Sequence, residues 1–102
     1  MKKYTLNIGL NDKDTKRQEI STAAAVDLIS KAAAAIFPGI TVYAGKGIYK
    51  HENGAIVYEN TLIIDIITDN TNGLNDLIKY AKTKLNQESI LIQTTEINMY
   101  FI

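Results

Sequence analysis

Between Ala44 and Gly54 the chain reads AGKGIYKHENG, which places three glycines, two lysines and the only histidine within eleven positions. Glycines beside lysine raise the chemistry of phosphate cradling, in which backbone N–H groups and a helix N-terminus surround an anion. That loop requires the order strand, GxxxxGK[ST], helix, whereas here the glycines lie inside an extended run and no helix follows. The stretch therefore reads as a β-hairpin that bends sharply. Its glycines mark places where a large cross-strand ring covers bare backbone, and Tyr49 and Tyr58 are the rings expected to do so.

The hairpin still offers a ligand several side chains. Lys46 and Lys50 suit a phosphate, and Tyr49 and Tyr58 can stack on a base while satisfying a polar group. His51 sits beside the turn, and Glu59 is placed to pair with Lys46 diagonally across the strands. Arg17, the only arginine, adds an anion contact from the first loop. These seven, Arg17, Lys46, Tyr49, Lys50, His51, Tyr58 and Glu59, are the candidate ligand-binding residues.

Catalysis has thinner support. Ser21, Ser30 and Ser89 lack a nucleophile-elbow context, and there is no cysteine to act as a thiolate or to ligate zinc. The DKD at Asp12 to Asp14 lacks the EF-hand spacing and its glycine, so no metal and no cofactor is expected. Acid–base work by His51 needs a partner group and a water-poor cleft, which a hairpin tip alone does not supply. The expectation is a protein without enzymatic activity.

The elements that position these residues follow from periodicity. Tyr4, Leu6, Ile8 and Leu10 alternate with polar or small residues, the pattern of a half-buried strand. Residues 11 to 19 are polar throughout and read as a solvated connection. Ser21 is a plausible N-cap for a helix over 22–36, with Ala25, Leu28, Ile29, Ala32, Ala33 and Ile36 at helical spacing before Phe37-Pro38-Gly39 ends it. Two extended segments, 40–50 and 55–67, join at Asn53-Gly54, a strong hairpin signal. Asp69, Asn70 and Thr71 offer caps for a second amphipathic helix over 72–86, with Leu74, Leu77, Ile78, Ala81 and Leu85 on one face. In the final SILIQTTEINMYFI, Ile90 and Ile92 lie on one parity and Ile97, Met99 and Phe101 on the other, which predicts a bulge near Thr95 or Glu96.

The order βαββαβ predicts an α+β, ferredoxin-like fold, a four-stranded antiparallel sheet with both helices on one face. With 102 residues, no linker and no repeat, residues 1–102 are expected to form a single domain. With Asn53-Gly54 as the turn centre, Tyr43, Gly45, Gly47 and Tyr49 should face the helices and Val42, Ala44, Lys46, Ile48 and Lys50 the open side. Length matters as well: thirteen strand residues run ~43 Å whereas fifteen helical residues span ~23 Å, so the hairpin should overhang the helical layer. The overhang, the open face and the apolar MYFI terminus point to a homo-oligomer, a dimer or a ring of dimers.

Charge narrows the partners further. Eleven basic and eleven acidic side chains cancel, which disfavours nucleic acid as a partner. No membrane segment is expected, because the most apolar stretch, LIIDII, is short and carries Asp65. The opening MKKYTLNIGL alternates instead of forming a signal peptide's apolar run, so a cytoplasmic location is expected.

The stretch GITVYAGKGIYKHENGAIVYENTLIIDI resembles a small family of uncharacterised bacterial domains with a "GlTv" strand, a glycine turn and a "G.ivyE" return strand. YTLNIGLNDKDTKRQEI is similar to small hypothetical proteins of low-GC bacteria and their phages. The resemblance implies the ferredoxin-like fold and a phage or mobile-element origin, and no activity. The functional expectation is a non-catalytic accessory protein that sequesters a small, phosphate-bearing, nucleotide-type ligand in a cleft between subunits. The alternative is an inhibitor that binds a host defence protein through the sheet face or the hairpin.

Overall fold

The computed structural model describes residues 1–102. It contains β1 (Lys2–Gly9), α1 (Thr22–Ile36), β2 (Ile40–Lys50), β3 (Ile56–Thr68), α2 (Thr71–Lys84) and β4 (Leu91–Glu96). The strands form one antiparallel sheet in the order β2-β3-β1-β4. This is the α+β, ferredoxin-like arrangement expected from the element order. No helix is long and apolar enough to cross a membrane.

Local chemistry sets the helix limits. The Ser21 hydroxyl accepts from the Ala24 amide at 3.1 Å and starts α1. Ala25, Ile29 and Ala33, one every four residues, form its buried stripe. The Asn70 side chain accepts from the Gly73 amide at 2.9 Å and caps α2. A Cβ at Gly73 would lie 2.6 Å from Ile36 Cγ2, so this glycine lets the start of α2 press against the end of α1. Asn86, with φ +46°, turns the chain out of α2.

Tyr4, Leu6, Ile8 and Leu10 from the first strand and its continuation meet Leu62, Ile64 and Ile66 of β3 beneath the helices. Ile29, Leu74, Leu77 and Leu85 close that core from above. The hairpin does overhang the helical layer. Ile56 and Tyr58 lie on the helix-side face of β3, yet they are 56% and 63% exposed. β1 stops opposite Thr61, so residues 56 to 60 also lack a strand on that side.

The hairpin register differs from expectation by one residue. Gly54, at φ +89°, closes a three-residue loop over Glu52, Asn53 and Gly54, with the Gly54 amide donating to the His51 carbonyl. Type I turns followed by a left-handed glycine make such loops, whereas Asn-Gly alone implied a two-residue loop. Gly47 therefore pairs with Glu59 and Tyr49 with Val57. A one-residue slip exchanges the faces of a whole strand. Val42, Ala44, Lys46, Ile48 and Lys50 face the helix side, and Tyr43, Gly45, Gly47 and Tyr49 the open side.

The terminal parity break also has a different cause. β4 pairs with β1 without interruption from Leu91 to Glu96, and the chain then leaves regular structure. No bulge is needed, because Met99 and Phe101 do not belong to the strand.

Candidate functional site

On the open face three glycines surround one carboxylate. Gly9 of β1 and Gly45 and Gly47 of β2 lie on it close to Glu59, Thr61 and Ile63 of β3. A Cβ at Gly9 would stand 2.5 Å from the Glu59 carboxylate, one at Gly47 2.8 Å from Thr61 Oγ1, and one at Gly45 3.0 Å from Ile63 Cδ1. The strand glycines are thus covered by the side chains of Glu59, Thr61 and Ile63, not by the rings of Tyr49 and Tyr58.

Glu59 is half-buried and held from two sides. Its Oε2 accepts from the Asn11 amide at 2.8 Å, and its Oε1 accepts from the Tyr49 hydroxyl at 3.3 Å. Partial burial, and then the negative charge and hydrogen bond of Glu59, raise the Tyr49 phenol above its ordinary value. Tyr49 thus stays protonated and donating at neutral pH. The His51 ring meets the Tyr49 ring edge-on, with centroids 5.8 Å apart.

A cleft of ≈810 Å³ opens over this pair. Asn7, Gly9, Gly47 and Thr61 contribute from the sheet, Tyr49 and His51 from the hairpin, Asn11 to Lys13 and Lys16 from the first loop, and Gln87 to Ser89 from the connection between α2 and β4. The two connections are fastened together. Asp12 Oδ1 accepts from the Asp14 and Thr15 amides and from Asn86 Nδ2, while Gln87 Nε2 donates to the Asn11 carbonyl. Those three donors, that of Asn86 foremost, hold the Asp12 carboxyl below its usual range.

Of the seven residues singled out from the sequence, the cleft gathers Tyr49, His51 and Glu59. Arg17 points elsewhere and pairs with Glu19 at 3.5 Å. Lys46 donates to Asn60 Oδ1 at 2.6 Å on the helix-side face, not to Glu59. Lys50 shares that other face, because the register slip moves the even-numbered residues of β2 off the open side, and Tyr58 of β3 lies there with Leu62 and Ile64, as its parity in β3 required. Sequence reasoning missed Asn11, Lys13, Lys16 and Gln87, since the contact between two polar connections far apart in sequence leaves no periodic trace. The one available signal was the density of polar residues in both, NDKDTKRQE in the first loop and NQES after α2.

The sequence pattern of a family described as "Protein of unknown function (DUF3574)" matches residues 3–101. The chain belongs to that family. No curated protein matches it in sequence. Its fold is similar to that of a phage SAM lyase in complex with S-methyl-5'-thioadenosine, with TM-score 0.64 and 24% identity over 93% of this chain and 80% of that one. The same lyase in its apo state gives TM-score 0.66 at 24% identity, covering 92% of this chain and 78% of that one. CutA from Synechococcus elongatus PCC7942 gives 0.57 at 13% identity, covering 92% and 73%.

These likenesses correct the expectation of a protein without catalysis, because an enzyme uses the same fold. The physical ground for that expectation also falls. The hairpin residues do not stand alone at a tip; they border a cleft that holds a fixed carboxylate and a phenol donor.

Proposed function

We propose that this DUF3574 protein is a phage or mobile-element accessory enzyme that binds an adenosyl sulfonium of the S-adenosylmethionine type and cleaves it to S-methyl-5'-thioadenosine. The observation that carries the reading is Glu59, a half-buried carboxylate fixed by Asn11 and Tyr49 under an open cleft. A sulfonium carries a permanent positive charge, and a carboxylate in a partly water-excluded site attracts it more strongly than one in bulk water. The fold shared with a phage SAM lyase supports the same ligand class. This replaces the phosphate-bearing ligand expected from sequence, since Lys46, Lys50 and Arg17 do not reach the cleft.

In the reaction the bond between sulfur and the aminobutyryl carbon breaks. Its electron pair stays on sulfur, which becomes neutral. The four-carbon fragment closes on its own carboxylate or loses a proton, so the cleavage uses neither water nor a cofactor. Glu59 binds and orients the cationic centre, Tyr49 fixes Glu59, and Gly9 and Gly47 leave room for the side chains of Glu59 and Thr61 to lie across the strands.

The apolar overhang of Ile48, Ile56 and Tyr58, with the exposed Tyr100, Phe101 and Ile102, supports a homo-oligomer in which a second copy covers these surfaces. Incubation of the purified protein with S-adenosylmethionine, followed by mass spectrometry, tests the reading. S-methyl-5'-thioadenosine is expected to accumulate, and Glu59→Gln should lower kcat/KM by about 10- to 100-fold, the scale of ~1.5–3 kcal/mol for a charged hydrogen-bonded contact. Absence of the product, together with absence of binding, would end the proposal.

A further inference from the structure

The cleft has two signs of charge. Glu59 lies at its floor, while Lys13 and Lys16 of the first loop border it. Neither lysine forms an ion pair; the five in the molecule are Met1 and Lys2 with Glu96, Lys3 with Asp65, Arg17 with Glu19 and Lys31 with Asp27. The nearest carboxylate in sequence, Asp12, already takes three N–H donors. Two further acids stand nearby: Asp14, which accepts from Asn86, and Glu88, which borders the cleft.

The loop that carries the lysines is built to stay in place. The Lys13 amide donates to the Asn86 carbonyl and the Lys16 amide to the Asp12 carbonyl, and the Asp12 amide donates to the Arg17 carbonyl. Lys16 itself sits at φ +63°, a left-handed conformation that a non-glycine residue keeps only when its surroundings impose it. Backbone and side-chain bonds thus fix the loop, while two ammonium groups remain without partners. Both lysines are exposed to solvent, and the fixed backbone keeps them at the cleft's border.

We infer that Lys13 and Lys16 determine specificity for the anionic end of the ligand, an α-carboxylate, in a cleft whose floor takes the cationic end. The inference rests on the sulfonium reading above and adds to it that the ligand must carry both charges. Glu59 sets the position of the sulfonium, and the lysines set that of the aminoacyl carboxylate, so the adenosyl group is oriented by two contacts of opposite sign. A ligand with only a phosphate, or only a cation, satisfies half of the site.

Calorimetric titration with S-adenosyl-L-homocysteine and with its decarboxylated analogue tests this. Both are thioethers, uncharged at sulfur and not cleaved; both keep the ammonium, and only the acid carries the carboxylate. The parent protein is expected to bind the acid at least tenfold more tightly than the analogue. The double variant Lys13→Ala, Lys16→Ala should lose that preference while binding the analogue within twofold of the parent, and Lys13→Arg, Lys16→Arg should restore it. If the double alanine variant keeps the preference, or if the parent shows none, the lysines do not read the carboxylate and the sulfonium reading stands on its own test. A parent protein that binds neither compound also overturns the assignment of the lysines, while the sulfonium reading is decided by the turnover of S-adenosylmethionine.

Discussion

Leu62, Ile64 and Ile66 on the helix-side face of β3 are fully buried, whereas Ile56 and Tyr58, on the same face of the same strand, are more than half exposed. Alternation decides which way a side chain points; helix length decides whether anything covers it. The half of the sheet under α1 and α2 carries the apolar core. The half beyond them, with the first loop, carries the cleft and the uncovered apolar surface. Stability and binding are therefore assigned to different stretches of one continuous hairpin, and substitutions in each should separate the two.

The largest effect belongs to the covered half. Ile64→Ala removes a fully buried side chain and should cost ~2–5 kcal/mol in denaturant unfolding. Ile56→Lys should leave stability within ~0.5 kcal/mol, as surface changes do, yet reduce the sedimentation mass to that of one chain. An Ile56→Lys protein that unfolds as easily as Ile64→Ala would erase the distinction. A smaller effect is expected where the two halves meet. Gly9→Ala brings a Cβ against the Glu59 carboxylate, which must leave the Asn11 amide and the Tyr49 hydroxyl to make room. Stability should change by under ~1 kcal/mol, while turnover of S-adenosylmethionine falls about tenfold, equal to ~1.4 kcal/mol. Equal losses in melting temperature and in activity would show that Gly9 serves the fold alone.

How much of this was legible in the sequence follows the range of each interaction. Ser21, the alanine stripe and Pro38 set α1 at 22–36, because caps and periodicity act within a few residues. α2 and the four strands were readable for the same reason. The face of β2 was not, since it depends on whether the loop at Gly54 has two residues or three, and Asn-Gly permits both. That single residue moved Lys46 and Lys50 to the far face and brought Gly47 and Tyr49 to Glu59. The partnership of Glu59 with the Asn11 amide spans 48 positions and has no local signature. Lys13, Lys16 and Gln87 join the cleft only because the first loop docks on the chain after α2.

The most direct measurement of where the ligand sits is amide chemical-shift mapping with S-methyl-5'-thioadenosine, the molecule held by the similar phage lyase. The shifts should concentrate on Asn7, Gly9, Lys13, Gly47, Tyr49 and Glu59, around the cleft over the open sheet face. The shallower groove of ≈640 Å³ lined by Ile20, Leu28 and Tyr80 should stay silent. Shifts confined to that groove, or none at saturating ligand, would contradict the assignment of binding to the uncovered half of the sheet.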